Sequence, residues 1–581
     1  MRTRSLLMTI VVLSVACGGR MEVDAAAGPA RATDAGVSPS LPTPTIPPVA
    51  VEVRCTTDGA PAFRRVATDP VALRRGPCGT LAWHAAKGGA FVLDANAREP
   101  ERLREGASMP TPSLSGRTVA FHDSKARAVV VRDRATGAES TVATVAPDAR
   151  PSFAFVARSR KVAGPGDETL VVCLGADPAV AWSEGRTVPV LGADALPLTC
   201  SDLLAPPEGG TSVAAVDAAG TITVFDGTTG RANRVPGVSY LRTSGLSETM
   251  GLWFTDDGSL LVRGRQKVEP CGDTSCGKDA SLTMIDAKLG TVVRDVPIRA
   301  QECCGGSNFL AQVIPSGPFP IAVGLSTSLE WVDSSMRSGS RARKGAVAIL
   351  ADGQRGLFVD DVSERAVVIR RLEDDAELGR VAKGSEVVLS KGLRYAYVST
   401  DPSRCITNES DPRNCFAQLY GLARWDLTTL AVTPIAESLQ PLRAKWVGDD
   451  GSAVVLAGLR EGGYPSASTP EKLGVDTYHS WLFDASGGRH ETVASEVGVT
   501  YWTTDRGPVL TSFATGHGFG VAAIDPRTGV VKDLTASADR PLDRIQSFAI
   551  GTGTHYGVLE ARATLPDGGA IGELWAGDVA P

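Results

Sequence analysis

Val129-Val130-Val131-Arg132-Asp133-Arg134-Ala135-Thr136-Gly137 sets the reading of the whole chain, because it recurs. A β-branched run suits a strand, in which alternate side chains are buried. An Asp at the strand end accepts hydrogen bonds from the next backbone amides and starts a turn. A Gly four residues later supplies the positive φ that completes it. The unit returns as Ile222-Thr223-Val224-Phe225-Asp226 with Gly230, and as Leu282-Thr283-Met284-Ile285-Asp286 with Gly290. It returns again as Trp481-Leu482-Phe483-Asp484 with Gly488, and as Val521-Ala522-Ala523-Ile524-Asp525 with Gly529. Copies without the Gly end at Asp94, Asp333 and Asp426.

A second mark lies upstream in several copies: Asp257-Gly258, Asp352-Gly353 and Asp450-Gly451, with Ser115-Gly116 and Lys391-Gly392 in the same place. Asp-Gly between apolar runs is a strong hairpin mark. One unit therefore reads strand, Asp-Gly turn, strand, loop, strand, Asp-x-x-x-Gly turn, strand. Units recur at about 40–50 residues, the period of propeller blades. Long amphipathic helical patterns are absent, and four-stranded units arrayed about an axis leave few exposed edges. The expected fold class is all-β, a β-propeller. The unit resembles the blades of bacterial propellers with Asp-x-x-Thr-Gly turns, the quinoprotein-like, YVTN-type and TolB-type repeats, over most of residues 80–575. About eleven units can be marked, more than the four to eight blades of one ring. Either some units are not blades, giving one ring of about 7–8, or there are two smaller rings, with a division near the least regular region, 300–345. A series of β-sandwiches is the rival architecture, but it gives no reason for the paired turns.

The chain begins with a basic head, Arg2 and Arg4, then an apolar run from Leu6 to Ala16. The run is shorter than the roughly 20 residues that cross a bilayer and has the layout of a secretory signal. The residues Leu13-Ser14-Val15-Ala16-Cys17-Gly18 resemble the lipobox of bacterial lipoproteins. That resemblance implies a signal peptide over 1–16 and a multiply acylated Cys17, which holds a membrane durably where one chain would not. Gly18 after the Cys, rather than Asp, points by the same resemblance to the outer membrane. Residues 17–50 are small, polar and proline-rich, with Pro39-Ser40-Leu41-Pro42-Thr43-Pro44 and Pro47-Pro48. Such a segment lacks the apolar content to fold and acts as an extended spacer. The expected organisation is signal peptide, a disordered tether over 17–50, and a propeller region over 51–581 facing an oxidising compartment.

Net charge is −6 with acidic and basic residues interleaved. No basic stripe marks a nucleic-acid partner. Apart from Cys17, ten cysteines remain, an even number that suggests disulfides in an exported protein. Cys55 and Cys78, Cys173 and Cys200, and Cys405 and Cys415 form local pairs. Cys271, Cys276, Cys303 and Cys304 form a second group whose pairing the sequence leaves open. Zinc is disfavoured there, because structural sites use two short Cys-x2-4-Cys spacings and a vicinal pair is a poor half-site.

Three units carry extra residues between their second and third strands. Residues 266–280 hold Cys271 and Cys276. Residues 401–417 hold Cys405 and Cys415 among Asp401, Asn408, Glu409, Asp411 and Asn414. Residues 461–479 hold Gly462, Gly463, Tyr464 and Pro465. Equivalent loops of a propeller emerge on one face, so these are expected to form a rim that binds a partner. Stapled loops lose less entropy on binding; the opposing reading is three tolerated surface insertions. The acids of 401–414 do not match a calcium loop. No nucleophile elbow, zinc helix or phosphate loop is present, and His84, His122, His479, His490, His517 and His555 are scattered. Ala523-Ile524-Asp525-Pro526-Arg527-Thr528-Gly529 resembles the start of the docking repeat of quinoprotein dehydrogenases, and Cys303-Cys304 the vicinal cysteines of some of them. Asp533 stands where that repeat ends in Trp. No catalytic residue, metal or cofactor is therefore assigned. The favoured function is a non-enzymatic, lipid-anchored propeller that binds a protein or glycan of the cell envelope. The alternative is a propeller enzyme, quinoprotein-like or glycan-active.

Overall fold

In the computed structural model of the protein, the residues described are 52–53 and most of 59–580. The stretches outside are 1–51, 54–58, 77–78, 241–247, 299–320, 333–337, 352–355, 361–365, 460–476, 496–500, 503–507 and 551–555, with further breaks of one to four residues. The proposed signal peptide and tether, and most of the expected division near 300–345, fall outside.

Ten antiparallel sheets follow one another along the described chain, and the last, eight-stranded through a single bridge Phe519↔Leu542, is counted as two modules, giving eleven. They span 70–102, 107–144, 152–189, 202–239, 248–298, 321–342, 346–382, 384–438, 443–495, 501–533 and 542–578, and are numbered 1 to 11 in that order. Most are four-stranded meanders in simple sequential order; module 6 shows three strands among the described residues. Helix is confined, among the described residues, to one 3-10 turn, Pro165–Asp167. The last module takes its fourth strand from the other end of the chain: Arg64–Thr68 pairs antiparallel with Ala570–Asp578. This is the architecture of a β-propeller whose ends are closed by a borrowed strand.

The core sits between modules, not within them. Ala128 and Val130 belong to a cluster shared with Ala82, Ala90 and Val92 of module 1. Val129 and Val131, pointing the other way, belong to a cluster with Phe153, Phe155 and Leu170 of module 3. The same division holds in module 4, where Val213, Ala215 and Phe225 face module 3 and Ala214, Ile222 and Val224 face module 5. Leu81, Trp83 and Leu93 of module 1 pack with Tyr556, Val558 and Leu574 of module 11, joining last to first. Both faces of the inner strands of modules 2 and 4 are therefore covered, and this corrects the expected alternation. Runs such as Val129-Val130-Val131 are buried residue after residue, as strands covered on both faces must be.

Module 3 departs from the pattern. Glu168–Ser183 is one continuous extended segment, but Gly175 has φ +77° and Ser183 Oγ donates to Glu168 O at 3.3 Å. The segment doubles back, so Ser183 and Glu168 lie side by side as two strands of the meander. Its third strand ends at Ser183-Glu184-Gly185, with no Asp.

Candidate functional site

A meander fixes which loops share a face. First-to-second and third-to-fourth turns lie at one end of every module. Second-to-third turns, and the connections to the next module, lie at the other. The first end is called here the turn face and the second the hairpin face.

The Asp motif builds the turn face. Asp133 Oδ1 accepts from the amides of Ala135 at 2.8 Å and Thr136 at 3.0 Å, while Gly137, at φ +73°, donates to Asp133 O. The bond from Thr136 N is the chief reason the Asp133 carboxyl sits below its ordinary range. Asp226, Asp286 and Asp525 repeat the turn, with Gly230, Gly290 and Gly529 at φ +67 to +73°. Two details differ from the sequence reading. Asp484 closes a shorter turn in which Gly487, not Gly488, is left-handed, at φ +90°. Asp426 makes the full motif, accepting from Thr428 and Thr429, and Leu430 takes the left-handed place at φ +61°. Leu430 packs on the cluster around Trp425, and Trp425 Nε1 donates to Leu430 O at 3.2 Å. Tertiary packing here overrides the turn's preference for Gly.

Polar groups stitch neighbouring elements together. Glu168 of module 3 is buried and accepts from Leu114 N at 2.7 Å and Ser115 N at 2.9 Å in the first turn of module 2; burial pushes its carboxyl up. Tyr397 of module 8 donates to Gly451 O of module 9 at 2.8 Å, and burial pushes its phenol up to about 12. Arg134 bonds Asp94 of module 1 and Gly116 O. Arg65, on the borrowed strand, meets Glu573 at 3.0 Å and Asp539; Glu573 is fully buried and also holds Arg540 at 3.3 Å and Trp575 Nε1 at 2.9 Å. His490 contacts Asp484 within its own turn, a strand-end position.

The hairpin face carries the excursions. All three occur where the sequence puts them, between second and third strands, in modules 5, 8 and 9. In module 5, Leu260–Cys271 and Thr274–Asp286 stay paired out to Cys271↔Thr274. Among the described residues the flanking pairing is seen as far as Glu248↔Lys267 and Ala280↔Ile298. Beyond those pairs the two strands continue together as a ribbon for about four residues a side, about 13 Å. In module 8, Tyr395–Asn408 and Asp411–Asp426 pair out to Asn408↔Asp411. Their neighbours stop at Gly384↔Thr400 and Tyr420↔Ser438. That ribbon, about eight residues a side, reaches about 26 Å. In module 9 pairing holds to Leu459↔Thr477, and most of 461–479 lies outside the described residues.

Cys173 and Cys200 form a disulfide across 27 residues. Both are buried. Cys173 is two residues before the Gly175 turn, and Cys200 lies where the connection from module 3 reaches module 4, so the bridge secures the hairpin face. Cys271, Cys276, Cys405 and Cys415 are on the two ribbons, with Cys276 opposite Glu269, Cys405 opposite Gln418 and Cys415 opposite Thr407; their side chains are outside the described set. Cys17, Cys55, Cys78, Cys303 and Cys304 are outside it altogether. Among the described residues no group of three or more His, Cys, Asp or Glu could hold a metal, and no helix is long and apolar enough to cross a membrane.

No protein-family model and no curated protein matches this sequence. Similarity is found to solved structures. The tricorn protease matches at 8% identity and TM-score 0.29, over 87% of this chain and 61% of that one. The β-propeller domain of the Trilobed protease from Pyrococcus furiosus matches at 10% and 0.31, over 58% and 97%. The WD40 domain of SCAP from fission yeast matches at 12% and 0.28, over 68% and 95%. The chain thus spans under two thirds of the tricorn protease. The propeller assignment rests on this chain's own strand order and closure.

Sequence reasoning missed the borrowed strand, the doubled segment of module 3 and the left-handed Leu430. The short run Arg64-Arg65-Val66-Ala67-Thr68 ahead of the first unit was the available sign of the first. Gly175 and Gly185, flanking an apolar run, were that of the second.

Proposed function

We propose that the protein is a lipid-anchored β-propeller of the cell envelope that binds a protein or glycan partner through its hairpin face. The carrying observation is that the excursions of modules 5, 8 and 9 share one position in the meander. Loops that merely tolerate insertion have no reason to fall at the same place in three modules. Rigid ribbons also lose little entropy on docking. The lipobox at Cys17 and the tether after it supply the anchoring, and the buried Cys173–Cys200 bridge suits an oxidising compartment. The outer membrane is favoured by Gly18. No enzyme activity is assigned.

The test is to replace 266–280, 401–417 and 461–479 with short turns and compare affinity capture from envelope extract with the wild type. Loss of a captured component, with the far-ultraviolet circular dichroism spectrum kept, is expected. An identical capture profile would reject the hairpin face as the binding surface.

A further inference from the structure

At two seams between elements the arginines face carboxylates. Arg134 of module 2 meets Asp94 and Glu101 of module 1, and Arg65 meets Glu573 and Asp539. The seam of modules 3 and 4 differs. There Arg158 and Arg186 line one cavity of about 280 Å³ on the turn face. Arg158 follows the first strand of module 3, Ser152–Ala157, and Arg186 opens its fourth, Arg186–Pro189. The Arg158 guanidinium donates to neutral oxygens, Gly166 O at 3.1 Å and Ser183 Oγ at 3.4 Å. Neither arginine forms an ion pair among the described residues.

Ser183 is the reason. It closes the third strand opposite Arg186, at the place where Asp133, Asp226, Asp286, Asp426, Asp484 and Asp525 stand in other modules. A carboxylate is thus missing beside both arginines, and the nearby acids do not replace it. Glu168 is turned to the amides of Leu114 and Ser115. Asp226 is buried and accepts from Thr228 and Thr229 in its own turn. Glu184 lies over Gly166 and pairs with neither arginine. Phe225 and Val190, both buried, and the exposed Val188 give the cavity an apolar wall. At about 30 Å³ for each water-sized group, the space holds roughly nine non-hydrogen atoms.

We infer that this cavity binds a small organic carboxylate, with its headgroup between Arg158 and Arg186 and its short apolar body against Val188, Val190 and Phe225. A guanidinium holds a carboxylate through paired N–H donors. Small-molecule sites commonly combine an apolar wall with a few placed polar groups. The site is on the face opposite the ribbons and does not depend on the docking reading. The test is calorimetric titration of the full-length chain with 4-methylpentanoate and with 4-methylpentanamide, which has the same shape and no charge. Saturable binding of the acid at millimolar concentration is expected, with the amide about ten-fold weaker or more. Ser183→Asp, which restores the internal carboxylate, and Arg186→Gln should each weaken the acid about five-fold or more while the far-ultraviolet circular dichroism spectrum is kept. No saturable binding of the acid, equal binding of acid and amide, or unchanged affinity in both folded variants overturns the proposal.

Discussion

Glu573→Gln should loosen the closure of the propeller. The carboxylate has no exposed surface and accepts from Arg65, Arg540 and Trp575. The amide removes the charge that two guanidiniums face and turns an NH2 group toward one of those donors. Removing one partner of a buried ion pair costs about 3–5 kcal/mol. Arg65 and Arg540 keep 30% and 23% of their side-chain exposure, and Arg65 still holds Asp539. Solvent and that second acceptor reduce the expected loss to about 2–3 kcal/mol. The effect should be local, because the bonds lost hold Arg64–Thr68 to its neighbour. Native-state hydrogen exchange should therefore show amides of Arg64–Thr68 losing about 30- to 150-fold in protection. Amides of Ile222–Phe225 in module 4 should hardly change. Unchanged protection in the borrowed strand would refute the reasoning, and so would an equal loss in both segments.

Further outcomes are expected. Gly290→Ala should destabilise by about 1–2 kcal/mol or more in urea unfolding, since it puts a side chain at a left-handed position with its Cβ 2.9 Å from Asn233 O; Leu430→Gly, which relieves such strain but gives up packing, should stay within about 1 kcal/mol of the wild type. Replacing Cys173 and Cys200 together by Ser should cost about 3–4 kcal/mol from the 27-residue separation, and native protein should resist reductant until denaturant is added, read by thiol labelling. Asp133 and Asp426 titrate below their ordinary values, chiefly through bonds from Thr136 and Thr429, so their contribution is full above about pH 4 and lost as pH falls through the folded values. Glu168 is raised by burial, so its contribution is full below about pH 4.3 and lost as pH rises through its folded value; urea titrations across pH should show a shallower acid decline in Asp133→Asn/Asp426→Asn and a flatter profile above pH 4.3 in Glu168→Gln.

The repeat was legible because its local chemistry is strong. The Asp turns at 133, 226, 286 and 525 need only a carboxylate and a left-handed glycine a few residues apart. The placement of the excursions was legible for the same reason: once the turns are fixed, strand number follows by counting. Features that depend on distant contacts were not. Nothing near Leu430 announces a left-handed residue; its conformation is held by the cluster around Trp425. Burial on both faces depends on the modules to either side, so alternation was expected where continuous burial is found. The role of Arg64–Thr68 is settled by a strand near the other end of the chain. In the candidate site, sequence placed the ribbons but not their length, because pairing beyond the sheet depends on where the neighbouring strands stop.

The borrowed strand also has a history in time. Arg65 and Glu573 are 508 residues apart, so the strand made first pairs with the strand made last. At ordinary synthesis rates, roughly 25–100 s separate the two. During that interval the edge of Ala570–Asp578 does not yet exist, and no early module can substitute for it. Contacts of such long sequence separation form slowly. The order of synthesis therefore makes this closure the last pairing the chain can complete: Arg64–Thr68 waits without its partner edge until Ala570–Asp578 has been made.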